Sequence, residues 1–276
     1  MGFEIPGLEG MALDGFSLAA TLVVLAAAAF FAGMVDAVVG GGGLIQIPVL
    51  LSQFPHTAIP TLFGTNKVSS IAGTAMAMWK YGRKVQIPWA VVLPGTVAAL
   101  IGSAMGAALV AWLPRDAMRP LVLILMIGAA LYTFKNKKFG HTSTRELRPA
   151  DRWWGLLLGL TIGLYDGFFG PGTGSFLLFA YVRLFGMDFL RATASAKVLN
   201  VATNISAIAF FANTGPLLWE IGIGMAICNL IGSQIGTMMA LRHGSGFIRK
   251  AFLLVVVILI GKMALDVIRP WIPSLL

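Results

Sequence analysis

Two stretches of this chain join a carboxylate to closely spaced glycines inside otherwise apolar sequence. The first is Asp36-Ala37-Val38-Val39-Gly40-Gly41-Gly42-Gly43-Leu44, and the second is Asp166-Gly167-Phe168-Phe169-Gly170-Pro171-Gly172-Thr173-Gly174. Glycine weakens a helix, and a carboxylate at membrane depth is costly unless it is paired. Each stretch precedes a short apolar piece, Leu44 to Phe54 and Ser175 to Phe185. A helix that begins directly after a glycine turn offers unpaired backbone N–H groups and the positive end of its dipole, and glycine lets an anion approach the main chain. Gly41, Gly42 and Gly43 on one side, and Gly172, Thr173, Gly174 and Ser175 on the other, are therefore candidate anion-binding groups. Lys67 and Lys197 would add full positive charge near the midplane. The lysines can equally serve to neutralise Asp36 and Asp166, since membrane charges commonly pair. The two roles are compatible, because an anion that releases a lysine from its aspartate couples binding to a rearrangement. Asn66, Asn200 and Asn204 share the lysine-bearing runs, with Asn200 and Asn204 on the Lys197 face at i+3 and i+7. They are candidates for substrate contact or for hydrogen bonds between helices.

Composition fixes what must position these groups. Of 276 residues, 58% are hydrophobic and 11% charged, and several apolar runs approach the roughly 20 residues that cross a bilayer as a helix. The runs are continuously apolar rather than alternating, which argues against a membrane barrel. An all-α polytopic membrane protein is expected. The formal charge of +9 sits at the ends of apolar runs rather than in one patch, so it reads as membrane topology and not as nucleic-acid binding. A single cysteine, Cys228, excludes an internal disulfide and a multi-cysteine metal site. His56, His141 and His243 lie at run ends or in a basic loop and form no metal-ligand pattern. No cofactor is expected, and no G-x-x-x-x-G-K-[S/T] loop is present. Glu4, Glu9 and Asp14 precede the first run and no basic segment does, so that run reads as retained rather than as a signal peptide.

In order, the runs are about Phe16 to Val39, the short Leu44 to Phe54, Thr57 to Trp79, Ile87 to Trp112 and Ala117 to Phe134. A polar loop from Lys135 to Arg152 carries six of the twenty basic residues. The second half repeats the series as Trp153 to Phe169, Ser175 to Phe185, Phe189 to Phe211, Leu217 to Leu241 and Phe247 to Ile268. Setting residue i against i+130 pairs Asp36 with Asp166, Gly40 with Gly170, Gly42 with Gly172, Lys67 with Lys197 and Trp89 with Trp219. Between residues 33 and 119 this ungapped register makes 15 of 87 positions identical. A duplication is expected, with membrane repeats at 1–134 and 153–276 joined by a basic cytoplasmic linker at 135–152. If the short pieces cross, each repeat has five elements and the second is inverted; if they are re-entrant, each repeat has four crossings and the repeats are parallel. The basic Lys80 to Lys84 turn against the uncharged Asn213 to Pro216 turn favours inversion by the positive-inside rule. Gly102, Gly106, Gly232 and Gly236 form small-residue faces for helix packing, and Trp112, Trp153, Trp154 and Trp271 fit interfacial anchors.

At Asp36 to Pro48, Thr65-Asn66-Lys67, Tyr165 to Ser175 and Ala196-Lys197-Val198-Leu199-Asn200 the chain resembles the sulfite exporter TauE/SafE family, also called the toluene sulfonate uptake permease family. It looks most like the bacterial branch of probable membrane transporters. The resemblance covers nearly the whole chain and implies a multi-pass permease of the bacterial inner membrane for small organosulfur or related anions. Substrate, direction and oligomeric state stay open. The expectation is a secondary transporter in which two repeats hold an anion between paired half-helix starts and alternate its access, with Asp36 and Asp166 as candidates to carry a coupling proton. An anion channel using the same pocket is the alternative, and a membrane assembly subunit a weaker one.

Overall fold

The computed structural model describes residues 15–112 and 146–243, with isolated positions between 120 and 131 and at 257 and 261. The expected runs Ala117 to Phe134 and Phe247 to Ile268, most of the 135–152 linker, the acidic N-terminal residues, His141 and Trp271 lie outside the described residues or almost so. The described residues form α1 (Gly15–Val39), α2 (Gly43–Gln53), α3 (Ile59–Gly82), α4 (Trp89–Ala111), α5 (Asp151–Phe168), α6 (Thr173–Phe185), α7 (Phe189–Thr214) and α8 (Trp219–His243), and no strand. The boundaries follow local chemistry. Pro60 sits in the first turn of α3, where a missing N–H costs nothing, and the Asp188 carboxylate accepts the Arg191 N–H at 3.0 Å to cap α7. Four helices, α1, α4, α7 and α8, are long and apolar enough to cross a membrane by length and composition. The 11-residue α2 and 13-residue α6 rise only about 16–20 Å at roughly 1.5 Å per residue, well short of the hydrocarbon core.

Contacts between helices set their directions. Phe30 meets Gly232 and Met34 meets Gly236, so α1 and α8 run parallel. Gly64 packs on Leu217 and Gly73 on Ser233, which puts α3 in the same direction. On the other side, Ala99 meets Gly163 and Ser103 meets Gly167, so α4 and α5 run together. Gly95 beside Leu199, with Ser103 Oγ donating to the Thr203 carbonyl at 2.9 Å, adds α7 to them. The two sets oppose each other: Gly64 lies against Phe211, while Thr74 and Lys197 meet at one oxygen of Asp36. The short α2 folds back along α1, with Gly42 against Ala32 and Asp36, and Thr21 Oγ1 donating to Gln53 Oε1 at 3.2 Å. It therefore runs antiparallel to α1, back toward the end where α1 begins, so this short piece re-enters and does not cross.

The same contacts recur at an offset of 130 with their partners exchanged. Gly33–Asn229, Gly232–Phe30 and Gly236–Met34 join α1 to α8, and Gly163–Ala99, Gly102–Leu160 and Gly106–Leu164 join α5 to α4. In each, a Cβ on the glycine would overlap or crowd a backbone carbonyl of the neighbouring helix, so only glycine allows the approach. Gly232→Val is expected to lower thermal stability in detergent by roughly 1–3 kcal/mol through overpacking against Phe30. An unchanged melting temperature would contradict the tight α1–α8 seam.

The outer surface and the two ends differ in kind. Leu93, Val97, Ile101, Met105 and Leu109 make an exposed stripe at every fourth residue of α4, and Trp219, Ile223, Ile227 and Ile231 repeat it on α8. Apart from Lys67 and Lys197, the basic residues among those described gather at one end of the bundle: Lys80, Arg83, Lys84, Arg148, Arg152, Arg183, Arg191 and Arg242. A cavity of about 340 Å³ there is lined by Gln86, Glu146, Leu147, Phe185, Met187 and Arg191, which draws the α3–α4 turn and the ends of α5, α6 and α7 together. The turns 54–58 and 213–218 at the opposite end carry no lysine or arginine.

Candidate functional site

The two glycine-rich turns meet in the middle of the bundle. Gly40 has φ +76° and Gly170, its counterpart, φ +94°, backbone that L side chains rarely adopt. A Cβ on Gly40 would overlap the main chain of Gly174, and one on Gly43 would come 3.2 Å from Pro171 Cα. Ser175 Oγ donates to the Val39 carbonyl across the same seam. No side-chain hydrogen bond caps α2 or α6, so apart from the Thr173 and Ser175 hydroxyls their first turns meet the seam with backbone groups.

The lysines pair across the seam. Lys67 Nζ on α3 donates to Asp166 Oδ2 at 2.6 Å, and Lys197 Nζ on α7 donates to Asp36 Oδ2 at 2.6 Å and to the Asp36 carbonyl. Each lysine is the ninth residue of its helix and each aspartate lies in the last turn of a helix from the other half. The 130-residue register maps one pair onto the other. Their surroundings differ. The Lys67–Asp166 side chains are 5% and 2% exposed, whereas Asp36 of the other pair is 16% exposed. Thr74 Oγ1 also donates to Asp36 Oδ2, at 3.2 Å, and Tyr81 lies within electrostatic reach. Beside Asp166 in the chain stands Tyr165, whose hydroxyl donates to the Pro171 carbonyl at 2.6 Å.

Of the sequence candidates, Asp36, Asp166, Lys67, Lys197 and both glycine clusters converge here. Thr173 Oγ1 donates to the Gly170 carbonyl at 2.7 Å and Ser175 is spent on Val39, so both hydroxyls brace the turns in this conformation. Asn200 Nδ2 lies beside Gly174, where a Cβ would come within 3.1 Å of it. Asn204 is buried at 4% exposure on the same face of α7. Asn66 is buried on α3, and its Oδ1 has no hydrogen-bond partner among the described residues. Three participants escape a reading of the sequence: Thr74, Gln46 and the aromatic set Phe63, Tyr165, Phe169 and Phe176. Thr74 stands two turns from Lys67 on one helix face, which is a signal that spacing alone offered. Gln46, in the first turn of α2, is fully buried with neither amide atom bonded among the described residues.

Both charged pairs thus lie where the two short helices begin, and comparison with known proteins supplies the family. The family described as Sulfite exporter TauE/SafE matches residues 25–263. The chain belongs to the TauE/SafE family. Its relatives include "Probable membrane transporter protein ORF9" of a Sinorhizobium species, 34% identical over 251 residues, covering 90% of this chain and 94% of the relative. A "Probable membrane transporter protein" of Haemophilus influenzae is 32% identical over 245 residues, covering 89% of this chain and 95% of the relative. "Probable membrane transporter protein YfcA" of Escherichia coli K12 is 32% identical over 245 residues, covering 89% and 90%. No solved structure matches the chain. Within this TauE/SafE chain the family match spans both lysine–aspartate pairs and both glycine turns. It is a membrane transporter by family, with an all-helical described structure.

Proposed function

We propose that this TauE/SafE protein is a secondary transporter for small anions, sulfur oxyanions or organosulfonates by preference, built from two inverted repeats. The observation that carries this is that each lysine ammonium already holds an oxyanion, the carboxylate of the other half, beside an uncapped helix start. A sulfonate or sulfite, with three oxygens on sulfur, offers anionic acceptors to the same donors. The name of the matching family favours sulfur oxyanions over others. Inversion is supported by the opposite directions of α1 and α5 and of α3 and α7, the helices that the 130-residue register aligns. The basic end of the bundle is the cytoplasmic end by the positive-inside rule, in the inner membrane of a bacterium.

Competition between carboxylate and substrate gives the cycle its coupling. When Asp36 takes a proton it no longer holds Lys197, and an incoming anion takes its place. Proton and anion then favour each other's binding and travel in the same direction. Thr74 keeps the neutral carboxyl in place, since its hydroxyl can donate or accept. Return of the proton to solvent restores the ion pair and expels the anion.

Flux into proteoliposomes tests this. Uptake of sulfite, sulfate, thiosulfate and short sulfonates is measured with and without a proton gradient, beside Lys67→Ala and Lys197→Ala. Saturable uptake of one anion, lost in both variants, is expected. A methanesulfonate-type probe keeps its charge across pH, so its apparent affinity should tighten as pH falls and lose that dependence in Asp36→Asn and Asp166→Asn. Variants that retain the parent's pH profile would remove the carboxylates from the coupling, and absence of flux for every anion would remove the function.

A further inference from the structure

Gln46 is an amide with both polar atoms unspent. It is 0% exposed, and neither Oε1 nor Nε2 has a hydrogen-bond partner among the described residues. A buried amide in that condition carries its desolvation cost with nothing to offset it, so its presence calls for a partner that arrives later. Its place points to that partner. Gln46 lies at i+4 from Gly42 and i+3 from Gly43, so along α2 it stands over both. A Cβ on Gly42 would come 2.9 Å from Asp36 Cβ, and one on Gly43 3.2 Å from Pro171 Cα, which puts the amide one turn from each half of the seam. The N–H groups of Gly41, Gly42 and Gly43 donate to no acceptor among the described residues, while those of Leu44, Ile45 and Gln46 turn back to Gly41 and Gly42. The start of α2 therefore holds three unspent donors and, one turn on, an unspent amide. The second half differs. At the 130-residue offset Gln46 becomes Phe176, whose ring lies 5.2 Å from that of Tyr165, and Asn66, with its unpaired Oδ1, becomes Ala196.

We infer that Gln46 is a specificity-determining residue of the anion site: its Oε1 accepts a hydrogen bond from an O–H or N–H group of the substrate, whose oxyanion occupies the glycine N–H groups beneath. The inference deepens the anion reading of the previous section and rests on it. Ammonium and backbone N–H groups are donors alone, so they serve the oxygens of an anion and can do nothing for a proton-bearing group. The aspartates are engaged by the lysines, which leaves the amide carbonyl to receive it. One helical turn, about 5–6 Å, separates the glycine N–H groups from the amide, a span that a two-carbon spacer covers. An anion without a donor leaves the buried carbonyl unpaired, and a site built to bond a substrate O–H rejects the analogue that lacks it. The substrate class is accordingly a small oxyanion bearing a hydroxyl or amino group, rather than a plain alkyl one.

Three sulfonates of equal charge test this: ethanesulfonate, 2-hydroxyethanesulfonate and 2-methoxyethanesulfonate, the last keeping the oxygen but lacking the donor. Binding to the purified protein in detergent is titrated by calorimetry and by shift of the melting temperature. The parent is expected to bind the hydroxy compound at least tenfold more tightly than either of the others. Gln46→Met, similar in length but without the amide, should bring that ratio to within twofold. Without ligand the variant should melt at or above the parent's temperature, because an unpaired buried amide has been removed. Equal binding of the hydroxy and methoxy compounds by the parent overturns the inference, leaves the anion reading standing and needs no variant. A folded Gln46→Met protein that keeps the preference overturns it too. So does one that melts well below the parent, since the amide is then structural. If none of the three binds, the inference falls, and the anion panel of the previous section decides whether the anion reading falls with it.

Discussion

Lys67→Met is expected to lower the stability of the folded protein by about 3–5 kcal/mol, because it leaves Asp166 charged, buried and without its partner. Replacing both partners, as Lys67→Met with Asp166→Leu, should recover most of that loss, since an apolar pair of similar volume escapes the desolvation penalty that an ion pair must offset. Anion binding should not recover with it. The contrast separates the two roles of the lysine: stability depends on the match between the partners, whereas binding depends on the ammonium. Thermal unfolding in detergent and anion-induced shifts of the melting temperature on the same samples make both measurements. Lys197→Met should cost less than Lys67→Met, because Asp36 keeps 16% exposure and the Thr74 hydroxyl. Equal losses at the two sites would mean that the difference in burial has no energetic weight.

Gly40→Ala should be more damaging to function than its size suggests. The left-handed backbone alone costs about 1–2 kcal/mol for a residue with a Cβ. The added atom would also overlap the Gly174 main chain, which no side-chain rotation can relieve. The seam between the two short helices must then part, and with it the approach of each lysine to the opposite carboxylate. Loss of anion binding together with a lowered melting temperature is the expected pair of results. Gly224→Ala is the control, since its Cβ would meet nothing within 4 Å. Full binding in Gly40→Ala would show that the two turns need not touch for an anion to bind.

Much of this architecture can be read in the sequence because the informative residues are rare at membrane depth. Asp36, Asp166, Lys67 and Lys197 stand out against apolar neighbours, and their common spacing of 130 residues makes them partners in a pattern. The glycines of α4 and α8 announce close packing by their four-residue spacing, and the structure sets them against backbone carbonyls. The crossed pairing, lysine of one half with aspartate of the other, is not legible. It depends on which helices lie side by side, and the contacts of α1 with α8 and of α4 with α5 are set by shape over long separations. The direction of α2 is hidden for a similar reason: eleven apolar residues can cross, dip or return, and only its contacts with Ala32, Asp36 and Thr21 decide.

The exchange of partners between the halves also governs how the chain comes into being. Asp36 enters the membrane 161 residues before the lysine that neutralises it, and the α1 face at Phe30, Gly33 and Met34 waits for the glycines of α8, far along the chain. A ribosome-bound first half therefore holds a charged residue and a bare packing face with nothing yet to receive them. The Lys67–Asp166 pair needs only α3 and α5, whereas the Lys197–Asp36 pair and the packing face of α1 wait for α7 and α8, so the two ends of the site close in turn.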